Sequence, residues 1–376
     1  MAARPAPAAP AGTGTDGRRD VTETERTAPV TLEDVARAAG VSLATASRTL
    51  NGSTRKVKEA NRQLVLEAAE RLGYTPNVSA QAVARGTTTT VALLVGDISD
   101  PYFSSIAAGV VGEAERAGLV VTMGETRRDP AREVQMVRTM RGQRPRAIIL
   151  AASRLAGDPE AEALAHELES YEHSGGRAVF VSATDAPFRS LNLANREGAR
   201  ELGRALAGLG YRHPAVLAGP AATPEPGAPL TGTAGLRTSD ERLAGFAEAF
   251  AAAGLPLAPD RVTSTAFTRD GGYDAMAALI AAGLGDVDLV FAVNDVMAVG
   301  AMSALRDAGL EPGRDVAIAG FDDIPTLRDV TPRLTTASLP LEEVGARALR
   351  LALGEHTDEE PIHAEVAIRE STPRRG

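Results

Sequence analysis

Ser42, Leu43, Ala44, Thr45, Ser47 and Arg48 crowd into one short stretch, VSLATASRTL. A helix would bring them on or near its outer face. Hydroxyls, small apolar groups and one guanidinium contain no nucleophile paired with a base, so their chemistry is recognition without bond-making. A helix fits the major groove of B-DNA and offers base edges its N-terminal residues. The rest of the chain offers little else to catalysis. It has no cysteine, which removes disulfides, thiol nucleophiles and thiolate-held metals. His166, His173, His213, His356 and His363 are scattered without metal-ligand spacing, and no G-x-S-x-G or phosphate loop stands in context. The string GTGTDG at 12–17 follows no strand and opens no helix, so it is a chance match. Asp97 and Asp100 read as turn residues at a strand end rather than an acid–base pair. We therefore expect no enzyme, no cofactor and no metal.

The elements that would hold the recognition face come next. VTLEDVARAAGVSLATASRTLNG, residues 30–52, reads as helix, turn and helix. Thr31 caps the first helix, Asp34 completes an acidic capping box, and Gly40 stops it; Ser42 caps the second, and Asn51-Gly52 ends it. Val35, Ala36, Ala39, Val41, Ala46 and Leu50 fall where the two helices must meet. Leu64, Val65, Ala68, Ala69 and Leu72 make the stripe of a third helix. The chain carries a net charge of −9. Yet residues 30–90 hold eight Lys or Arg against five Asp or Glu, including both lysines of the chain, Lys56 and Lys58. A basic module on an acidic body suits a DNA partner.

From Thr90 onward strands alternate with amphipathic helices. TVALLVGDI, LVVTMGE, AIILAAS and AVFVSA form one series; SLNLA, AVLAGP, RVTSTAF, DLVFAV and DVAIAGF form a second. That pattern predicts parallel sheets covered on both faces, in two lobes with a ligand cleft at the carboxyl ends of the strands. Residues 221–238 interrupt the second series with a Pro/Gly/Thr-rich loop, either functional or disordered. No apolar run is long enough for a membrane helix, and no secretory signal opens the chain, so we expect a cytoplasmic, nucleoid-associated protein without membrane contact.

TLEDVARAAGVSLATASRTLNG, LEAAERLGYTPN, DISDPYF, ERLAGF, NDVMAVGAMSAL, GFDD and LTTASLP together resemble the LacI/GalR family of bacterial transcription regulators. The resemblance runs from Thr31 to about Glu370, outside the N-terminal tail and the 221–238 loop. It implies an α/β fold: a three-helix helix-turn-helix headpiece and hinge helix, then a two-lobed core like a periplasmic binding protein, with parallel sheets. The corresponding boundaries are a disordered tail at 1–29, a DNA-binding domain at 30–75, a hinge and linker at 76–90, and an effector and dimerisation core at 91–376. Lobe one takes about 91–189 and 338–358, and lobe two about 190–337 and 359–372. The family function would be repression, through a homodimer on a pseudo-palindromic operator. A small molecule in the cleft would control it: a sugar or sugar phosphate first, a nucleoside or purine second. A solute-binding protein on the same core is the remaining rival. It would need an export signal and has no use for residues 30–86.

By the same resemblance, Leu43 and Ala44 occupy operator-discriminating positions, and Thr45, Ser47 and Arg48 contact phosphates and bases. Because Leu43 and Ala44 are apolar, hydrogen-bonded base readout would rest on Arg48, whose preferred partner is guanine. Thr31, Ser42 and Asn51 complete the DNA-facing set. PNVSAQAVARG, residues 76–86, matches the hinge segment. Asn77 caps it, Ala80 and Ala84 let two copies touch, and Val83 stands where the family usually has a leucine wedge for the minor groove. In the cleft the resemblance implies effector contacts from Tyr102, Phe103, Asn195, Thr238, Arg242, Phe267 and Asp295. Two alternatives stay open: Arg242 and Asp295 as a structural salt bridge, and Phe267 as ordinary core. FVSATDAP departs from the family, with Ser182-Ala183-Thr184 where sugar-responsive relatives often carry Asp or Arg.

Overall fold

The computed structural model describes residues 30–50, 57–75, 88–152, 154, 157–182, 187–220, 236–355 and 360–375. The chain forms two compact units, residues 1–77 and 78–376. In the first unit, α1 (Leu32–Ala38), α2 (Leu43–Leu50) and α3 (Glu59–Leu72) surround a small core of Val35, Ala36, Ala39, Ala46, Val65, Ala68 and Ala69. Five of those seven are alanine, which lets helix backbones approach closely. The capping box at α1 is complete: Asp34 N–H donates to Thr31 Oγ1 at 3.3 Å, and Thr31 N–H donates to the Asp34 carboxylate at 3.0 Å. Gly40 holds φ +64° at the turn. Leu64, expected in the α3 stripe, is instead 48% exposed, because the stripe that meets α1 and α2 is Val65, Ala68 and Ala69. Lys58 stands at the α3 N-cap and supplies no side-chain cap.

In the second unit the strand–helix alternation builds two sheets. The first has the order β2-β1-β3-β4-β5, all parallel: β1 Thr90–Val95, β2 Val120–Glu125, β3 Ala147–Ala151, β4 Ala178–Val181 and β5 Arg189–Leu191. Between and around them lie α4 (Pro101–Arg116), α5 (Pro130–Gly142) and α6 (Ala161–His173). SLNLA was expected to open the second series, but β5 pairs with β4 and closes the edge of the first sheet. A three-residue strand carries no periodicity to say which sheet it joins.

The second sheet has the order β11-β10-β9-β8-β6-β7. Its strands are β6 Pro214–Ala218, β7 Val262–Ser264, β8 Leu289–Ala292, β9 Ala317–Asp322, β10 Thr335–Ser338 and β11 Glu365–Ala367, with α7 (Asn195–Gly208), α8 (Arg237–Ala252), α9 (Arg269–Ala281) and α10 (Asp295–Asp307) packed on it. β11 runs antiparallel to β10, an exception to the all-parallel expectation. β1, β3, β6, β8 and β9 are almost wholly buried apolar runs, as strands covered on both faces must be.

The chain changes lobe after β5, again between β10 and α11 (Leu341–Leu353), and again after α11. α11 packs on α4 in the first lobe. The crossings are tied together: Leu193 bridges Ile362, Ala194 N–H donates to Ile362 O at 2.8 Å, and Leu339 N–H donates to Asp322 O at 3.2 Å. Both sheets thus point the carboxyl ends of their strands at one cleft, with the crossings at its back.

Candidate functional site

The headpiece presents the outer face that its sequence implied. Ser42, Leu43, Ala44 and Arg48 are exposed, Thr45 and Ser47 half-buried, and Ala46 fully buried against the other helices. Ser42 caps α2, accepting from Thr45 N–H at 3.2 Å, and its hydroxyl lies 2.9 Å from that of Thr45. Leu43, a large apolar side chain, stays 46% exposed at the helix start, where burial elsewhere would have been favourable. Thr31 is exposed and committed to its cap. Asn51, Asn77, Ala80 and Val83 lie outside the described residues, as does the whole of 76–87.

The cleft holds a cavity of about 530 Å³ lined from both lobes. Asp97, Ser99, Asp100, Pro101 and Arg128 come from strand ends of the first; Phe267–Asp270, Val296, Val299, Ile324 and Thr326 come from the second. Of the seven residues expected to meet an effector, Phe267 alone lines this cavity. Phe103 is buried and packs edge-on to Tyr102, ring centroids 5.0 Å apart. Tyr102 is half-buried, and burial beside Asp322 and Asp100 pushes its hydroxyl pKa up. Thr238 is buried near the start of α8.

Asn195, Arg242 and Asp295 converge beneath the cavity. Arg242 is 1% exposed, yet every face of its guanidinium is used. Nε donates to Asn195 Oδ1 at 2.9 Å, Nη1 to Val293 O at 2.8 Å, and Nη2 to Asp322 Oδ1 at 2.7 Å. The plane lies 3.9 Å from the centroid of the Phe321 ring. A structural salt bridge does exist, but with Asp322 and not Asp295. Burial pushes the Asp322 carboxyl up while Arg242 pulls it down. Asp295 is wholly buried; its oxygens accept from Thr336 Oγ1 at 2.7 Å and Ile324 N–H at 3.0 Å. Burial, only partly offset by those two bonds, pushes its pKa up to about 6. Gly320 makes the fit possible, since a Cβ there would stand 2.3 Å from Asp295 Oδ1.

Arg128 is the residue that sequence reasoning missed. Its guanidinium reaches Asp97 Oδ2 and Asp100 Oδ2, each at 3.2 Å. It also sits 5.8 Å from the Phe103 ring centroid and 5.9 Å from that of Phe267, so it spans the cleft. Asp97, for which burial is outweighed by bonds from Ser99 and Arg128, is held below the usual carboxylate range. Asp100, more deeply buried, is pushed up despite capping α4 through Tyr102 N–H at 3.0 Å. A second bond crosses the cleft from Arg237 N–H to Arg154 O at 2.9 Å. The signal for Arg128 was its place: immediately before a helix-starting Asp-Pro, three residues past the carboxyl end of β2.

Backbone strain collects at the same rim. Arg127 and Arg128 hold φ +56° and +55°, Asp322 and Asp323 hold +118° and +59°, and Ser182 holds +140°. Each follows or ends a strand at its carboxyl end. Such conformations cost roughly 1–3 kcal/mol apiece and persist where the surrounding structure holds them, commonly at ligand sites.

A family profile for bacterial regulatory proteins of the lacI family matches residues 31–77, and one for the periplasmic binding protein-like domain matches residues 204–375. Among curated proteins, the HTH-type transcriptional regulator GalR of Escherichia coli (strain K12) is 33% identical over 325 residues, covering 86% of this chain and 88% of GalR. The regulator CelR of Thermobifida fusca is 32% identical over 358 residues, covering 92% and 99%. Among solved structures, the lac repressor dimer bound to operator and the anti-inducer ONPF superposes with a TM-score of 0.74 at 25% identity, covering 92% of this chain and all of that one. A CelR–cellobiose complex superposes at 0.62 with 29% identity, covering 91% and 99%.

Proposed function

Since the chain belongs to the LacI/GalR family of transcription regulators, we propose that it represses transcription as a homodimer on a pseudo-palindromic operator and that a neutral sugar in the inter-lobe cleft controls its grip. The observation that carries this reading is the two-sided cavity, lined from both lobes, with Arg128 and Phe267 facing each other across it. Its lining sets three carboxylates, Asp97, Asp100 and Asp270, against two arginines, Arg128 and Arg269. Carboxylates accept from sugar hydroxyls, and an aromatic ring covers a sugar's apolar face. A net negative lining disfavours a sugar phosphate, so of the two carbohydrate classes the uncharged one fits better.

In this reading the cleft binds its ligand without turning it over, and the protein works in the cytoplasm on chromosomal DNA. Among the described residues, no helix is long and apolar enough to cross a membrane. Residues 76–90 act as the hinge, with Asn77, Ala80 and Val83 in the roles that the family pattern gives them. Movement of one lobe against the other would change the separation of the two hinges. Affinity would then fall toward the nonspecific level, where phosphate charge dominates.

Selection of bound duplexes from random DNA, repeated with a panel of neutral sugars, sugar phosphates and nucleosides, tests the reading. Paired half-sites and a shift in binding with one neutral sugar are expected. Enrichment of an unpaired site, or indifference to every neutral sugar, would overturn it. Arg48→Ala should broaden the selected sequence as well as weaken binding.

A further inference from the structure

At the opposite end of the first lobe, on the amino side of its strands, α5, α6 and α11 all end around a second cavity of about 450 Å³. Arg144, Arg146 and Arg177 line it, with Ser174 beside them and Tyr171 and Leu353 beneath. All three arginines are exposed, and among the described residues no hydrogen bond or ion pair engages any of their guanidinium groups. That is unlike α5, where Arg138 and Arg141 share the Glu167 carboxylate at 2.9 and 3.0 Å.

Arginines at helix ends commonly bond the last carbonyls and offset the helix dipole. These three do not bond them. Arg177 instead lies over Gly354 at the end of α11, where a Cβ would meet Nη1 at 1.9 Å. Arg144 keeps a left-handed backbone, φ +52°, and its carbonyl accepts from Thr88 Oγ1 at 2.8 Å. Three like charges are thus gathered, without a carboxylate among the described residues, around a recess whose floor includes the buried Tyr171, its hydroxyl bonded to Pro145 O at 2.7 Å.

We propose that this recess is a second ligand site, for a small phosphorylated anion. Guanidinium groups grip phosphate oxygens in pairs, and three can neutralise a dianion or more. The volume falls in the ordinary range for small-ligand pockets. A recess under helix ends admits a compact anion more readily than a duplex backbone. The site is also placed to regulate. Arg144 holds Thr88, and Arg146 N–H donates to Thr90 O at 2.8 Å, where the chain leaves the 76–87 segment. Gly354 opens the last crossing between lobes. An anion held there ties the hinge exit to that crossing, so its binding changes operator affinity independently of the cleft sugar.

Titration calorimetry of the full-length protein with inorganic pyrophosphate, at fixed ionic strength, tests this. One saturable site per chain is expected. The Arg146→Gln/Arg177→Gln double variant should lose at least tenfold in affinity, as should Arg144→Gln alone, with unfolding midpoints unchanged. Arg138→Gln, on α5 and already paired with Glu167, should bind pyrophosphate as the parent does. No saturable heat, or equal loss in Arg138→Gln, overturns the proposal. So does weaker operator binding by the double variant in the absence of pyrophosphate, because the arginines would then be serving DNA phosphates.

Discussion

The two walls of the cleft share an architecture and differ in water. In the second lobe the Arg242–Asp322 pair is about as dry as a charge pair can be, 1% and 5% exposed, with Asn195, Val293 O and Phe321 occupying the rest of the guanidinium. In the first lobe Arg128 and Asp97 remain 18% and 25% exposed, and Arg128 divides itself between two carboxylates and two rings. A dehydrated pair with every guanidinium nitrogen bonded is a frame: losing one partner strands a charge. A half-wet arrangement with several weak partners can exchange them for a ligand at little cost. The buried pair is therefore suited to hold geometry, and the Arg128 cluster to exchange contacts.

Removing the frame should have the largest effect. Arg242→Ala should destabilise the core by about 3–5 kcal/mol, read by chemical denaturation; a loss below about 1 kcal/mol would erase the contrast. Asp295→Asn should act in the other direction and with pH. The folded pKa near 6 lies above the unfolded value near 4, so the native state holds this proton more tightly. That contribution is full below about pH 4 and is lost as pH rises through 6. The Asn variant should gain on the parent by up to about 3 kcal/mol between those limits, then run parallel. A constant difference across the range would mean that Asp295 is not the buried acid described.

Variants of the Arg128 cluster should be milder and should touch binding more than stability. Phe267→Ala removes the ring across from Arg128 and should weaken the cleft ligand by about 1 kcal/mol, with a smaller change in unfolding. Asp97→Asn should cost under about 1 kcal/mol of stability. A loss there equal to that of Arg242→Ala would make the two walls equivalent.

Much of this was legible in the residues. Thr31, Asp34, Gly40 and Ser42 state the headpiece in capping chemistry, which is local, and the long apolar runs of β1, β3, β8 and β9 state the sheets. What stayed hidden was non-local. Arg242 and Asp322 are eighty positions apart, and no spacing rule pairs them. β10 is Thr-Thr-Ala-Ser, too polar to look buried. Its threonines are satisfied in the interior by Asp295, Ser371 and Thr372, so hydropathy concealed it. Arg128 sat in a run of surface-like charges, and only the fold brings it against Asp97, Asp100 and Phe267.

In the proposed function, occupancy of the cleft sets the grip on DNA. Its most direct measurement is the affinity for the selected operator, by fluorescence anisotropy, with and without the sugar found to bind, for the parent and Phe267→Ala. Operator affinity should change tenfold or more in the parent, with the change reached at higher sugar concentration in the variant. An operator affinity indifferent to saturating sugar, or an identical sugar dependence in both proteins, would contradict it.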